Sequence, residues 1–389
     1  MKSVTPLHPA VAAAVVVLLH ACDAGSGTHA FIERLGNDTL ALEVFTHTRD
    51  AVDGTVVVRT PMTRVGAYHA DLGPHGITRM EVEWTVPETN PDAARTETVI
   101  IDVGTDSATI TAEGGPNPGT ITVAVGDNTF PLVGKNPIAF GVIEQVLRGA
   151  AASGLDEFEF HTVRGGSPRV PTNTIVQGTA DTVSMEYFGN PLYMTYSDGH
   201  VTGRSGRATT FKVDAEEVDA LDLDALARDF AARDARGEGM GVPSPRATVQ
   251  ASVEGANFEV VYSRPAKRGR EIWGGLVPYD TVWRTGANAA THFTTDRDIR
   301  LGGVDVPAGT YTLWTLFTAG SATLIVNSQT RQWGTQYDAA QDFARIPMER
   351  EDEPEVMERF TIAIEPWNGG GMISLSWDRT RFTVAIEVM

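Results

Sequence analysis

The chain has 389 residues, of which 42% are hydrophobic and 21% are charged, so it is long enough for two or three globular domains and is not disordered throughout. Acidic residues outnumber basic ones 50 to 31, and the net charge of −19 argues against nucleic acid as a partner, which would require a basic surface. A single cysteine excludes an internal disulfide and any multi-cysteine metal cluster.

The first residues predict an exported lipoprotein. Lys2 precedes an uninterrupted apolar run over 10–19, which suits a signal peptide and is too short to span a bilayer. The run ends in Leu-Leu-His-Ala-Cys, which resembles a bacterial lipobox apart from its histidine. Ordinary signal cleavage beside an incidental cysteine is the alternative. We therefore predict a signal peptide (1–21), lipidation at Cys22, a tether (22–30), and a place in the cell envelope facing the periplasm or the cell surface.

Residues 31–212 are predicted to form the N-terminal domain. Apolar and polar residues alternate along several short segments of this region, which predicts an antiparallel meander sheet. Gly126-Asp127-Asn128 predicts a hairpin turn between two of the strands. One helix interrupts the strands: Asn136 can cap it, Pro137 suits its first turn, and Gly154 can end it.

Residues 213–245 are predicted to be a helix and a linker. Apolar residues recur at helical spacing within about 215–236, and a Gly- and Pro-rich stretch at 237–245 then marks a domain boundary.

About nine short strands are predicted in the C-terminal domain, 246–389. Residues 311–317 are apolar on both faces, and two strands near the end are predicted to form a hairpin around 378–380. The predicted fold is mainly β: an antiparallel N-terminal meander sheet with one or two helices, followed by a C-terminal β-sandwich or jelly-roll-like domain.

No local catalytic or metal-binding motif is present. The sequence lacks HExxH, GxSxG, a Walker loop and a GxGxxG that follows a strand. We therefore predict no cofactor and no metal ligands, while assembly of a site from distant segments stays open.

A basic segment stands out in this acidic chain. Four cations occur between Arg264 and Arg270, and Arg284 follows in Val-Trp-Arg-Thr-Gly-Ala-Asn. Guanidinium groups and backbone amides near glycines suit a carboxylate, phosphate or sulfate, and aromatic side chains can stack on a sugar ring. Alternatively, the cations pair with the acidic run 349–358 and the aromatic side chains cover the end of the core. The candidate ligand-binding residues are Arg264, Lys267, Arg270, Arg284, Asn288, Trp333 and Tyr337.

His292, the only histidine after residue 242, is the candidate general base. It would need an orienting carboxylate, for which Asp280, Asp296 and Asp338 are candidates. The alternative is a hydrogen-bonded histidine without a catalytic role.

Several motifs in order resemble domain-of-unknown-function family 2911 over roughly 242–388. They include Tyr-Ser-Arg-Pro at 262–265, Val-Trp-Arg-Thr-Gly-Ala-Asn at 282–288, and Pro-Ala-Gly-Thr-Tyr-Thr-Leu-Trp at 307–314. The resemblance implies an exported bacterial protein and implies no particular activity.

The expected function is that of a cell-envelope lipoprotein that binds an anionic, glycan or lipid ligand without chemistry. Its partner would be the membrane, through the lipid anchor. The alternative is a hydrolase or lyase acting on an envelope glycan or an anionic small molecule. In that case Arg264, Arg270 and Arg284 would hold the anion, and His292 would act as the base.

Overall fold

The computed structural model describes residues 27–74, 76–87, 97–134, 139–179, 181–187, 190–197, 200–210 and 212–389. The predicted signal peptide and Cys22 lie outside the described residues, as do Asn136 and Pro137. The end of the predicted tether is wrong, because Thr28 already begins a strand. Within the described ranges, no helix combines the length and the apolar character needed to cross a membrane.

The N-terminal region forms one sheet of fifteen strands among the described residues. These are β1 (Thr28–Leu35), β2 (Asp38–His47), β3 (Ala51–Val58), β4 (Arg64–Gly73), β5 (Gly76–Thr85), β6 (Glu97–Val103), β7 (Ser107–Gly114), β8 (Gly119–Ala124), β9 (Thr129–Leu132), β10 (Glu157–Arg164), β11 (Thr172–Thr179), β12 (Thr182–Tyr187), β13 (Asn190–Ser197), β14 (His200–Ser205) and β15 (Val213–Val218). Their order in the sheet is 8-7-6-5-4-3-2-1-15-14-13-12-11-10-9, and all pairs are antiparallel except β9 with β10. The predicted antiparallel meander is therefore confirmed, with one parallel pair added.

The hairpin predicted at Gly126-Asp127-Asn128 is wrong. The turn is present, with Asn128 at φ 56°, but it joins β8 to β9, which lie at opposite ends of the sheet order. Strand β9 lies beside β5 and β6, so the sheet curls back on itself. Turn residues specify a local reversal of the chain, whereas the curl of the whole sheet decides which strands pair.

Helix α1 (Phe140–Ser153) lies inside the curled sheet, against strands on both sides of it, and connects β9 to its parallel neighbour β10. Every residue from Phe140 to Val146 is buried, as expected for a helix surrounded by other elements. Gly141 permits this close packing, since a Cβ atom there would lie 2.5 Å from the Tyr68 hydroxyl. The predicted end of the helix is confirmed, because Gly154 adopts the left-handed conformation at φ 65°.

The N-terminus of α1 is capped from β2 by a buried carboxylate. Glu43 accepts hydrogen bonds from the backbone N–H groups of Phe140 (2.6 Å) and Gly141 (3.3 Å), and from the Tyr68 hydroxyl (2.6 Å). Burial raises the pKa of Glu43 to about 7, although these hydrogen bonds act in the opposite direction.

The first part of the segment predicted as helix and linker belongs to the sheet. Residues 213–218 form β15 between β1 and β14, and helix α2 begins later (Leu223–Ala235), where the Asp222 side chain accepts a hydrogen bond from Ala225 N at 2.9 Å. Pairing with two neighbouring strands outweighs the local helical pattern. Helix α2 packs Phe230 against Leu42 and Val57 on the outer face of the sheet.

The C-terminal region forms a second continuous sheet of ten strands. These are β16 (Arg246–Val253), β17 (Ala256–Ser263), β18 (Val282–Trp283), β19 (Thr291–Thr295), β20 (Ile299–Leu301), β21 (Val304–Val306), β22 (Gly309–Phe317), β23 (Ala322–Asn327), β24 (Asp342–Trp367) and β25 (Gly370–Val388). Their order is 16-17-19-22-23-24-25-20-21, with β18 beside β22, and β16 lies near β24 and β25. The sheet thus folds over one aromatic-rich core, and the mainly-β prediction is confirmed.

The hairpin predicted around 378–380 is wrong, because β25 continues through these residues. Asp378 has φ 55° and pairs with Met357 at a point where the register shifts. Residues 353–356 of β24 lie opposite Arg379 alone, so the polar residues of β25 face a bulge whose extra residues belong to β24.

The two regions meet at the β1–β2 turn. The backbone N–H of Asn37 donates to the carbonyl of Arg268 at 2.9 Å, and the Arg268 guanidinium pairs with Asp38 and donates to the carbonyl of Met240 at 3.2 Å. Met240 belongs to the predicted linker and packs with Leu35, so this part of the linker is held against the first sheet.

Candidate functional site

A strained loop follows β18 and carries Arg284. Thr285 is fully buried at φ 50°, a conformation rarely adopted by β-branched residues, and Asn288 has φ 61°. Buried hydroxyl groups hold the loop: the Thr285 and Thr315 hydroxyls are 2.7 Å apart, and the Thr291 hydroxyl donates to the Thr285 carbonyl at 2.7 Å. Backbone strain of this kind occurs preferentially at functional sites.

Arg284 is partly buried and lacks a protein partner for its charge among the described residues. Its Nε atom is buried without a hydrogen-bond acceptor, and no ion pair involves this residue within the described part of the chain. Burial lowers the pKa of Arg284, and no carboxylate of the described residues opposes that effect.

Asn288 and Trp333 lie beside Arg284. The backbone N–H of Gly334 donates to the Asn288 carbonyl at 2.9 Å, and a Cβ atom on Gly334 would lie 2.2 Å from Cδ of Arg284. The glycine therefore lets the 333–334 backbone cover the aliphatic part of the arginine. The Trp333 side chain remains 52% exposed next to it. Three of the predicted ligand-binding residues are thus brought together.

The other predicted cationic side chains already form hydrogen bonds or ion pairs with protein groups. Arg264 donates to the Phe360 carbonyl (3.2 Å) and the Thr361 hydroxyl (2.7 Å), and Lys267 pairs with Asp378 at 2.5 Å. Arg270 donates to the carbonyls of Lys267 (3.0 Å) and Ala266 (2.5 Å), and burial lowers its pKa to about 10. These contacts hold the basic segment in place and leave its guanidinium groups turned toward the protein.

Tyr337 packs against Trp314, with ring centroids 4.9 Å apart. Its hydroxyl donates to Asp342 at 2.6 Å and accepts from Arg345 at 2.9 Å. Burial and the Asp342 carboxylate raise the pKa of Tyr337 to about 12. The ring therefore covers buried surface, as the alternative interpretation of this loop expected.

Both nitrogens of His292 are engaged. Nδ1 donates to the Ala290 carbonyl at 3.0 Å, and Nε2 accepts from the backbone N–H of Arg331 at 2.9 Å. Neither nitrogen contacts Asp280, Asp296 or Asp338. The Asp296 carboxylate instead accepts from Asn257 at 2.7 Å. His292 thus lies on β19 with both nitrogens bound to backbone groups and without an orienting carboxylate among the described residues.

Residues 244–386 match the family model described as "Protein of unknown function (DUF2911)". The C-terminal region carries the DUF2911 match. The resemblance seen in the sequence motifs is confirmed, and the DUF2911 region includes Arg284, Asn288 and Trp333.

Two further comparisons concern the whole chain. A crystal structure of a beta-barrel-like protein of domain of unknown function DUF1849 from Brucella abortus is similar at 11% sequence identity and a TM-score of 0.33, and the similarity covers 51% of this chain and 97% of that one. No curated protein matches the chain.

A second constellation lies outside the DUF2911 region. His29 on β1, His200 on β14 and Glu217 on β15 have side-chain nitrogen and oxygen atoms that all lie within 4.8 Å of one another. His29 and Glu217 are 188 positions apart in the sequence, so no local spacing could reveal this cluster. The one available signal was that each histidine falls close to the end of a strand. Among the described residues, this is the one group of three or more His, Cys, Asp or Glu side chains whose ligand atoms lie this close together.

Proposed function

We propose that the protein is an exported cell-envelope lipoprotein whose DUF2911 region binds an anionic ligand without transforming it chemically. The observation that carries this proposal is the charged Arg284 side chain, which is partly buried, has a buried Nε without a hydrogen-bond acceptor, and lacks a carboxylate partner among the described residues. Partial burial of a cation without a counter-charge disfavours the charged form. A bound anion would supply that counter-charge.

The strained loop supports the proposal. Residues 284–288 hold an unfavourable backbone conformation, which the buried hydroxyls of Thr291 and Thr315 maintain. Arg284 is therefore fixed before a ligand arrives, so little conformational entropy is lost on binding.

The chemistry of the neighbouring groups indicates the class of ligand. A guanidinium group binds a carboxylate, phosphate or sulfate through two parallel hydrogen bonds. The Asn288 amide has only long contacts, each 3.5 Å, with the Ser244 carbonyl and the Ser263 hydroxyl, and could donate to the same anion. The exposed indole of Trp333 offers a surface for a sugar ring. We therefore favour an acidic glycan or a small organic anion.

The hydrolase or lyase alternative needs a free base beside an anion held by three arginines. Both His292 nitrogens are engaged, and Arg264 and Arg270 donate to backbone carbonyls. These contacts favour the non-catalytic proposal.

Thermal-shift and calorimetric titration with phosphate, sulfate, citrate and glucuronate test the proposal. At least one anion should stabilise the wild type, and Arg284→Met should abolish that effect. Because partial burial disfavours the Arg284 charge, the ligand-free Arg284→Met variant should melt at the same temperature or a higher one. Arg300→Met is the matched control, since Arg300 forms an exposed pair with Asp305.

Two outcomes would reject the binding site. One is the absence of any shift with all four anions. The other is a ligand-free Arg284→Met variant that is less stable than Arg300→Met and still binds the anion, which would assign Arg284 a structural role.

Export and lipidation are tested separately at Cys22. The wild type should incorporate a clickable fatty acid and fractionate with membranes, and Cys22→Ala should do neither, because the thioether requires this thiol. Equal labelling of the two proteins would refute the anchor.

A further inference from the structure

We propose that His29, His200 and Glu217 form a binding site for a divalent transition-metal ion, with Zn²⁺ as the preferred occupant. This site lies in the N-terminal sheet and does not depend on the anion site of the DUF2911 region.

The sheet topology brings the cluster together. Strands β2, β1, β15 and β14 are consecutive neighbours in the sheet. His47 is the last residue of β2, His29 the second residue of β1, and His200 the first residue of β14, while Glu217 lies one residue before the end of β15. Because the strands are antiparallel, these positions meet at one rim of the curled sheet.

The distances suit one shared ion. Glu217 reaches His29 Nδ1 with one carboxylate oxygen at 2.8 Å and His200 Nε2 with the other at 3.4 Å. The two imidazole rings are 4.8 Å apart between centroids. A tetrahedral zinc ion holds its nitrogen and oxygen ligands about 2.0–2.2 Å away, which places them about 3.3 Å from one another. Small side-chain rotations would bring the three groups to that separation.

Unpartnered polar atoms face the same cluster from its inner side. Glu144 is 1% exposed, and its Oε2 atom has no hydrogen-bond partner. The nearest imidazole atom is His47 Nδ1, at 3.8 Å, which is also buried without a hydrogen bond. The His47 ring stacks on His29 with centroids 5.7 Å apart. Three imidazoles and two carboxylates are thus gathered in a half-buried site, and two of these groups keep unused lone pairs or protons.

Among the described residues, Arg148 is the cation that contacts the cluster. Its guanidinium lies 2.9 Å from His47 Nε2, and since arginine can only donate, this nitrogen accepts. Neutral His47 then carries its proton on Nδ1, toward Glu144. His47 is therefore better placed to orient the neighbouring groups than to bind the ion directly.

The donor set indicates the class of metal. Two imidazoles and one carboxylate are ligands typical of zinc sites with an open fourth position, and the absence of sulfur disfavours soft ions such as Cu⁺. The ion would join β1 to β14 and β15. Binding should therefore stabilise this region, and the gain should grow with the logarithm of the metal concentration once that concentration exceeds the Kd.

Isothermal titration with ZnCl₂ tests the proposal, on untagged full-length protein carrying Cys22→Ser so that no thiol competes. We expect one Zn²⁺ per chain with a micromolar or tighter Kd. Each of His29→Ala, His200→Ala and Glu217→Gln should weaken binding at least tenfold. Tetrahedral Co²⁺ absorption in the visible range provides a second readout that these variants should also lose.

His69→Ala is the matched control. His69 lies in the same sheet and also contacts two carboxylates, Asp53 at 2.7 Å and Asp71 at 3.2 Å. It is exposed, and no imidazole of the described residues contacts it. This variant should bind zinc as the wild type does.

The proposal is overturned if the wild type binds no zinc, if the three variants bind it as tightly as the wild type, or if His69→Ala removes binding. Glu217→Gln preserves the shape of the side chain, so it distinguishes loss of a ligand from loss of the fold. Its ligand-free urea midpoint should stay close to that of the wild type.

Discussion

The two sheets of this protein are built from the same kind of strand but have different interiors. The N-terminal sheet encloses a helix and several buried ionisable side chains: Glu33, Glu43, Glu144 and Arg204. The core of the DUF2911 region is instead made of aromatic and aliphatic side chains such as Trp377, Phe360 and Phe293. Within residues 244–389, every Asp, Glu, Lys, Arg and His is at least partly exposed, and the buried polar side chains carry hydroxyl or amide groups.

The difference follows from the helix inside the N-terminal sheet, because a buried helix brings backbone groups that need polar side chains as partners. A helix N-terminus inside a core needs an acceptor, and Glu43 supplies one. Further along α1, Glu144 accepts from the backbone N–H of Val201 at 3.1 Å. Two sheet halves that face each other need no such groups, because their backbone N–H and C=O groups pair with those of neighbouring strands. The N-terminal region should therefore depend on charge and pH in ways that the DUF2911 region does not.

The largest effect should follow from breaking the buried pair between Arg204 and Glu33, whose side chains are 6% and 3% exposed and 2.7 Å apart. Arg204→Met leaves Glu33 buried without a partner and should destabilise the N-terminal region by about 3–5 kcal/mol in urea unfolding. Adding Glu33→Gln should recover part of the loss. If Arg204→Met lowers the unfolding free energy no more than the surface control Arg300→Met does, the N-terminal region does not depend on its buried charges.

A pH effect of about 3 kcal/mol is expected from Glu43, whose pKa rises from 4.5 to about 7 on folding. The folded state holds this proton more tightly, so the stabilisation is complete below pH 4.5 and is lost as the pH rises to about 7. Glu43→Gln should flatten the unfolding free energy over that range. Glu83→Gln, on the exposed face of β5, should keep the wild-type profile. Identical profiles for both variants would refute this role of Glu43.

Arg268 should couple the unfolding of the two regions. Arg268→Ala removes the contacts with Asp38 and the Met240 carbonyl, and hydrogen bonds to charged groups are worth about 1.5–3 kcal/mol. Differential scanning calorimetry should show the two transitions further apart than in the wild type. Arg379→Ala, which loses only a bond to Pro354 within the DUF2911 region, should leave their separation unchanged. Equal separation in both variants would show that the regions unfold independently.

The smallest effect is expected at the end of α1. Gly154→Ala should cost about 1 kcal/mol, because φ is 65° there while the added Cβ meets nothing within 4 Å. Gly320→Ala, at an open position without a positive φ, should be neutral. Equal urea midpoints for the two variants would show that the cap contributes nothing.

The sequence predicts local features of this fold but does not predict which distant strands pair with each other. Alternation predicts the strands, and Gly154 predicts the helix end. The residues at 126–128 and 378–380 are both predicted as turns, but the first turn connects opposite sheet edges and the second segment lies within β25, opposite a bulge of β24. Residues 213–218 become a strand only because β1 and β14 lie on either side of them.

Of the two candidate sites, one could be predicted from local motifs and the other could not. Arg284, Asn288 and Trp333 lie close together because the loop at 284–288 pairs with the loop at 333–334, and their motifs were recognisable along the chain. His29, His200 and Glu217 meet only because β1 pairs with β15, the first and last strands of this sheet in chain order. No local sequence pattern encodes that pairing. Burial of Arg264 and Arg270 against backbone carbonyls could not be predicted from their charge alone.

The pairing of β1 with β15 also determines how the molecule would respond to a mechanical load. Ala30 faces Val218, so the polypeptide enters and leaves the N-terminal sheet at the same end of one antiparallel pair. Tension between the chain before β1 and the DUF2911 region would first break the contacts of Arg268 with Asn37 and Asp38 that join the two regions. It would then peel α2 from its sheet face and open β1 from β15 one hydrogen-bonded pair at a time. From that point the other strands would carry no force until β1 and β15 had separated, so unfolding of the N-terminal sheet under load would start at this single pair of strands.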